Sequence, residues 1–440
     1  MTDITSGTPD RPEGRRPFSL RGLIAATEID VRLFGMLLAL VAILLGFGLV
    51  TGGKFLQPTT FITLSVQTAV VAIMATGMVL IIVSRNIDLS VGSIVGVVAM
   101  AYALLMTDWL PHGLGLGANN PLVWIIALVI GLGLGAAIGG LEGFIIAYIG
   151  VPSFIVTLGG LLALRGVVWI MSSGAAVAGL DPTFDLLGGS AQGSVGGDTT
   201  WALAIVGCVA AVGLLVYNRR QRRRFGFPVR PRWADVLLGV VSCAAVLGIA
   251  AIANANYWPK GLANKYAQQH GIVVPPGGLQ ISTGLPWPII VVIGVTLLMT
   301  FVATRRRFGR YVYAYGGNPD AAELAGINTR WTIMKTFMLM GLLCGLAAAV
   351  AVARQDSATL DVGQSDELYV IAAAVVGGTS FSGGVGTIPG AVLGAIVMQS
   401  LAYGLAFVGV NTPTQNIVAG AVLIVAVGLD SYNRRRGGGR

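Results

Sequence analysis

The sequence is poor in charge, cysteine and histidine. Only 11% of its 440 residues are charged, against about 25% in soluble domains, which excludes an ordinary soluble enzyme and a disordered chain. The three cysteines lie far apart within apolar stretches, and neither they nor the two histidines show disulfide or metal-ligand spacing. H-E-x-x-H, G-x-S-x-G and paired-carboxylate motifs are missing, so we predict no catalytic residue and no bound metal.

The sequence also gives no support for nucleotide or nucleic-acid binding. The near-match to a phosphate loop, Gly48 to Lys54, continues with Phe55 where a magnesium-binding Ser or Thr is required. We therefore expect no cofactor in this chain. The net charge of +9 comes from arginines that flank apolar blocks without interleaved aromatics, so we expect no nucleic-acid partner.

The chain is instead rich in long apolar blocks. About 20 apolar residues cross the hydrocarbon core of a bilayer, and twelve blocks reach or approach this length. Block 367–378 is too short to cross alone, and we expect a half-helix paired across the turn Gly377–Gly386. The pattern predicts an all-α polytopic membrane protein with 10–12 transmembrane helices, some broken or re-entrant. The blocks are 33–51, 60–83, 89–106, 121–149, 153–171, 201–217, 234–253, 287–303, 336–353, 367–378, 385–409 and 415–429.

Basic residues predict the orientation, because cytoplasmic segments are rich in Lys and Arg. Four regions hold 22 of the 28 basic residues, and an even number of crossings puts all four on one side. We therefore predict a plasma (inner) membrane protein with both termini cytoplasmic. Its predicted parts are a cytoplasmic segment 1–32, a transmembrane domain 33–432 with a cytoplasmic loop 304–335, and a basic tail 433–440. The long opposing loops 172–200 and 254–286 are candidate docking surfaces or plain connectors.

A short pattern that occurs twice, called the six-residue echo below, indicates a possible internal repeat. Val91-Gly92-Ser93-Ile94-Val95-Gly96 recurs as Val385-Gly386-Thr387-Ile388-Pro389-Gly390, each copy after an apolar block and a break. Transporters often carry duplicated halves whose broken helices lie near the transport path.

Polar residues in or beside apolar blocks are functional candidates. Asn86, Asp88, Ser90 and Ser93 offer hydrogen bonds to a hydroxyl-rich substrate, although Asp88 or Ser90 could simply cap the following helix. Glu142 and Arg165 lie in blocks joined by a short link, and pairing between them would lower the cost of burying both charges. The alternative is that each reaches toward the membrane interface.

The loop 304–335 contains a predicted short helix. Asn318 suits an N-cap, Pro319 the first helical position, Glu323 the first turn and Gly326 the end. Such a helix, with the small residues Ala321 and Ala322, could insert into a groove of a partner and transmit its motion, or it could be an ordinary surface helix.

Several motifs together resemble one family. Residues 86–93 (NIDLSVGS), 316–328 (GGNPDAAELAGIN), 377–386 (GGTSFSGGVG) and 151–158 (VPSFIVTL) are similar to motifs of the permeases of bacterial monosaccharide ABC importers, of the ribose, xylose and arabinose type. The xylose branch is the most similar, and the resemblance covers about residues 33–432. Glu142-Gly143 stands where the family often has Asn-Gly.

The resemblance implies a permease subunit that carries a monosaccharide, xylose or a related pentose or hexose. It implies a permease homodimer in the lipid bilayer, a cytoplasmic ATPase chain that binds ATP and magnesium, and a periplasmic sugar-binding protein. Residues Asn318, Pro319, Ala321, Ala322, Glu323 and Gly326 would then contact the ATPase. The segment Asn86, Asp88, Ser90 and Ser93, with Thr379 and Ser380 of the glycine-rich turn, would lie near the translocation path.

Two alternatives remain open at the level of sequence. An ion-driven secondary transporter would need titratable groups at mid-membrane and no ATPase. A permease for branched-chain amino acids would have a related membrane architecture.

Overall fold

A computed structural model describes residues 31–113, 115, 120–276 and 278–437. The part of the predicted N-terminal segment up to residue 30, and the end of the predicted tail from residue 438, lie outside these residues. The described chain is almost entirely helical. Its helices are α1 Val31–Val50, α2 Pro58–Val83, α3 Val91–Leu104, α4 Pro121–Phe144, α5 Ser153–Ser172, α6 Pro182–Asp185, α7 Gly197–Arg224, α8 Arg232–Asn254, α9 Lys260–Gln269, α10 Trp287–Arg305, α11 Arg307–Gly317, α12 Pro319–Leu324, α13 Thr329–Gln355, α14 Asp366–Val376, α15 Ile388–Phe407 and α16 Thr412–Gly437.

Within the described ranges, ten helices are long and apolar enough to cross a membrane. Two of them are lengthened by π-helical turns, so that α3 continues to Gly113 and α4 to Ile149. Helix α14 has 11 residues and reaches only about 16 Å at 1.5 Å per residue. The prediction of a polytopic helical membrane protein is confirmed, and the short block does form a half-helix that ends before the glycine-rich turn.

Helices α2, α3 and α13 form the centre of the bundle. Their most apolar windows are 94%, 83% and 78% buried, whereas those of α5, α7 and α8 are 11% buried. The peripheral helices therefore expose apolar side chains all along their length, which suits contact with lipid.

Helices α4 and α13 approach each other through glycines. A Cβ atom at Gly135 would lie 2.3 Å from the carbonyl oxygen of Gly341, and one at Gly341 would lie 2.0 Å from that of Gly135. Gly131 and Gly345 continue the same contact one turn further along. Small residues four apart allow membrane helices to pack closely, so this pair of helices is a fixed part of the core.

Helices α7 and α8 form a hairpin beside the bundle, called the peripheral hairpin below. The amide of Leu285, just before α10, donates to Thr200 Oγ1 at 2.8 Å, so α7 begins beside the start of α10. Helices α7 and α10 both end at arginine-rich segments, and α8 begins at one. We call that side of the molecule the basic face, and the other side the opposite face.

The opposite face carries the one strand pair of the described residues. Val177–Ala178 pairs antiparallel with Ser357–Ala358, which joins the loop after α5 to the loop after α13. The six-residue echo precedes or begins a helix in both copies, at Val91 and at Ile388. Duplication of two halves stays a prediction.

Candidate translocation path and coupling surface

The break between α2 and α3 holds two buried carboxyl groups joined by a serine. Ser90 Oγ lies 2.6 Å from Asp88 Oδ1 and 2.8 Å from Glu142 Oε2. Asp88 and Ser90 are 0% exposed and Glu142 is 5% exposed. A hydroxyl has one hydrogen, so the second of these contacts needs a hydrogen on a carboxyl group. At least one of the two carboxyl groups is therefore protonated, and Ser90 bridges them.

The alternative that Ser90 caps α3 is not realised. Ser90 stands at the N-cap position, but its hydroxyl is used between the carboxyl groups and accepts no amide of the helix. Asp88 Oδ1 instead accepts the amide of Ser90 itself at 2.9 Å.

Glu142 and Arg165 have other partners than the predicted one. The Glu142 carboxyl contacts Ser90, whereas Arg165 Nη1 donates to the carbonyl oxygens of Val362 at 3.0 Å and Leu360 at 3.4 Å. The predicted pair does not form, because the two residues lie at different depths in the bundle. Glu142 lies about 10 Å before the link between α4 and α5, and Arg165 about 18 Å after it, at 1.5 Å per residue. Arg165 thus holds the loop that leads into α14.

The start of α5 contacts the motif 86–93, called the signature segment below. The amide of Ile87 donates to Ser153 Oγ at 3.3 Å, and Thr157 Oγ1, which donates to Ser153 O at 2.9 Å, lies 3.4 Å from Ile87 O. Ser93 Oγ donates to Leu161 O at 2.9 Å, and Asn86 Nδ2 donates to Ser84 O at 2.9 Å. The two motifs 86–93 and 151–158 therefore meet, and the signature side chains serve first to bind helices together.

The predicted short helix is present on the basic face. Asn318 Oδ1 accepts the amide of Ala321 at 3.0 Å, Pro319 takes the first position, and Gly326 follows with φ at +78°. Ala322 is buried and Ala321 is exposed. Glu323 Oε1 accepts from Thr329 Oγ1 at 3.1 Å and so ties α12 to α13. Leu324 is 90% exposed, an apolar side chain offered to a partner.

Both helix breaks meet the segment that precedes this short helix, in a contact called the break junction below. Arg85 Nε donates to Gly316 O at 2.8 Å and Arg85 Nη2 to Gly317 O at 2.9 Å. The amide of Gly384 donates to Val83 O at 3.0 Å. A Cβ atom at Gly316 would lie 1.8 Å from Val83 O. Two of the four motifs noted in the sequence, 316–328 and 377–386, thus converge on Val83 and Arg85, directly before the motif 86–93.

The glycine-rich turn after α14 is packed and polar. The amide of Ser380 donates to Val385 O at 2.9 Å, and Ser380 Oγ accepts the amide of Ser382 at 3.1 Å. Thr379 and Ser380 are 1% and 0% exposed, and Thr379 Oγ1 is buried without a partner among the described atoms. Tyr313 Oη of α11 donates to Gly386 O at 2.7 Å, a further link between the basic face and this turn.

Two adjoining polar cavities of about 350 and 280 Å³ open among α2, α13, α14 and α15. Both are lined by amides and carboxylates, which suit hydroxyl groups. Gln67 lies nine residues into α2, about 14 Å from the opposite face, so the cavities reach toward the middle of the bundle. Sequence reasoning missed these residues, although lone amides inside apolar helices were the available signal. The shared lining residues are Gln67, Asp361, Gln364, Asp366 and Gln399.

This bundle of broken helices can now be compared with known proteins. Residues 60–427 match the family described as the permease component of branched-chain amino acid transport systems. The chain belongs to this permease family. The permease is 35% identical to the xylose transport system permease protein of Escherichia coli K12 over 415 residues, which are 94% of this chain and 95% of that protein.

Two further relatives agree with that placement. The permease is 32% identical to the xylose transport system permease protein of Haemophilus influenzae over 412 residues, 93% of this chain and 98% of that one. It is 30% identical to the ribose import permease protein of Escherichia coli K12 over 425 residues, 96% of this chain and 99% of that one. No solved structure matches the chain. The resemblance noted from the motifs is confirmed, and the permease is a multi-pass membrane protein.

Proposed function

We propose that the permease carries a monosaccharide, xylose or a related pentose or hexose, across the inner membrane in an ATP-driven importer. The break junction is the observation that carries this proposal. It connects an exposed short helix, suited to a partner on the basic face, with both interrupted helices of the bundle. The similarity to xylose and ribose permeases supports a sugar as substrate, and so do the amides and carboxylates of the polar cavities.

The basic face is the cytoplasmic face in this proposal, and both termini are cytoplasmic. A separate ATPase chain binds ATP and magnesium and contacts the coupling residues Asn318, Pro319, Ala321, Ala322, Glu323 and Gly326, with Leu324 as an added apolar anchor. A periplasmic sugar-binding protein docks on the opposite face, at loops 172–200 and 254–286. A homodimer of the permease in the lipid bilayer completes the assembly.

The proposed path runs from the polar cavities toward the break junction. Gln67 and Gln399 make transient hydrogen bonds to sugar hydroxyls, which allow both binding and release. The signature side chains Asn86, Asp88, Ser90 and Ser93, with Thr379 and Ser380, flank the inner part of this route. Ser90 and Ser93 hold the first helix break in place until the short helix α12 moves, because their hydroxyls bond the start of α3 to α4 and α5.

Uptake by proteoliposomes that contain the permease and its ATPase and binding protein tests the proposal. We expect xylose uptake that requires ATP, survives a protonophore and is not inhibited by leucine. The double change Gln67→Ala and Gln399→Ala should lower uptake at least about tenfold through the loss of hydrogen bonds at the sugar, while ATP hydrolysis continues. Uptake driven by an ion gradient without the ATPase, or competition by leucine, would contradict the proposal.

A further inference from the structure

The peripheral hairpin has a surface feature that the proposed transport function does not explain. Its side chains are buried mainly near the opposite face, at Thr200, Ala204, Ala250 and Ala253. Toward the basic face, the apolar side chains of α7 are exposed. The hairpin therefore offers a free flank to whatever surrounds the bundle.

That flank contains a groove of about 650 Å³. Its floor and walls are mostly aliphatic, and Gly213 leaves it open, since a Cβ atom there would meet no other atom within 4 Å. From Val209 to Arg220 the groove follows about 16 Å of helix, which is close to half of the roughly 30 Å hydrocarbon core. The residues used below are Val209, Val212, Gly213, Val216, Tyr217 and Arg220.

The groove ends in a cluster of positive charge. Arg220 lines it, and Arg223 and Arg224 follow at helical spacings of three and four residues, on the same face of α7. All three are exposed. Asp235, the next acidic residue along the chain, is already paired with Arg219. Segment 218–233 has seven arginines, and arginine can bind a phosphate through two parallel hydrogen bonds.

We propose that this groove binds an anionic phospholipid of the cytoplasmic leaflet. An acyl chain lies along Val209, Val212 and Val216, and the phosphate lies on Arg220, Arg223 and Arg224. An apolar groove that is about as long as one leaflet and ends in arginines matches an amphiphilic anion. A free phosphate would contact only the arginines and leave the apolar groove empty. A second protein chain could pack in the groove without the positive charge at its end.

Native mass spectrometry of the purified permease, titrated with phosphatidylglycerol or phosphatidylcholine, tests this site. We expect tight phosphatidylglycerol adducts with the unmodified permease. The triple change Arg220→Gln, Arg223→Gln and Arg224→Gln should weaken them about fivefold per arginine, roughly a hundredfold in all. Gly213→Leu, which fills the groove with all arginines in place, should also remove them. Inorganic phosphate should not displace the lipid.

Gly248→Leu is the matched control for the groove. It makes the same change in the other helix of the hairpin, where a Cβ atom also meets nothing within 4 Å, and adducts should persist. Equal lipid binding by Gly213→Leu and the unmodified permease, displacement by phosphate, or a change of oligomeric state in place of lipid loss would overturn the proposal. Unchanged melting temperatures verify that each variant is folded. The assignment to the cytoplasmic leaflet rests on the orientation given in the proposed function, but the binding measurement needs neither orientation nor transport, so the two can fail separately.

Discussion

The residue with the most constrained chemistry is Glu142. It shares Ser90 with Asp88, and the three groups have too few hydrogens unless one carboxyl is protonated. A Cβ atom at Gly160 would lie 2.2 Å from Glu142 Oε1, so this acid also fills space between α4 and α5. Its neutral form resembles the amide that the family often has at this position.

Glu142→Gln should therefore be tolerated. The glutamine amide can donate to Ser90 Oγ as a protonated acid would, so we expect the free energy of unfolding to change by less than about 1 kcal/mol. Ser90→Ala should cost about 2–3 kcal/mol, because it leaves two buried carboxyl groups without their bridge. Thermal unfolding in detergent compares the two variants. Equal destabilisation by both would show that Glu142 is held as a carboxylate.

A second residue-scale prediction concerns Asp185, the last residue of the short helix α6. Burial, and then the neighbouring carboxylates Asp356 and Asp181, raise the pKa of Asp185 from 3.8 to about 7. Between these values the folded protein holds a proton that the unfolded chain releases, so this group makes stability fall as pH rises from about 4 to about 7. The melting temperature should follow that slope, and Asp185→Asn should flatten it. An unchanged slope in the variant would assign the pH dependence elsewhere.

At the scale of elements, the glycine contact between α4 and α13 leaves no room for a side chain. Gly341→Ala would place a methyl group 2.0 Å from the carbonyl oxygen of Gly135. We expect a loss of about 2 kcal/mol of stability, as for overpacked cores, measured as a lower melting temperature. Gly133→Ala is the matched control, since its Cβ meets nothing within 4 Å. If both variants melt alike, helix packing here is looser than the structure shows.

The elements themselves could largely be predicted from the sequence. Apolar length indicated the membrane helices, and Asn318, Pro319 and Gly326 marked the start and end of α12, because caps and breakers act locally. Glu142 could not be assigned its partner, since that depends on how helices are rotated and on relative depth. The same limit concealed Gln67 and Gln399. A lone amide in an apolar helix shows that it has a function or a partner, but not which helix it faces.

At the scale of the whole molecule, Arg85 links the segment before α12 to the end of α2 in the core. Its φ of 59° is unusual for a residue with a side chain, and its two bonds to Gly316 and Gly317 offset that cost. Arg85→Ala should lower sugar uptake about tenfold, a typical coupling energy, while ATP hydrolysis continues. Coupled proteoliposomes measure both rates.

Arg85→Gly separates coupling from strain. It removes the same hydrogen bonds but adopts positive φ without cost, so it should lose as much uptake as Arg85→Ala. Recovery of uptake in the glycine variant would mean that backbone strain, and not the link to Gly316 and Gly317, causes the effect.

The break junction also bears on how such permeases change substrates. Two of its contacts, the Gly384 amide on Val83 O and the close approach of Gly316 to the same oxygen, are made by main-chain atoms. Substitutions that retune the cavity for another sugar alter side chains about 20 Å or more away along α2, as the 16 residues from Gln67 to Val83 indicate. Selectivity can therefore diverge while the main-chain link between the two helix breaks and the segment before α12 stays unchanged.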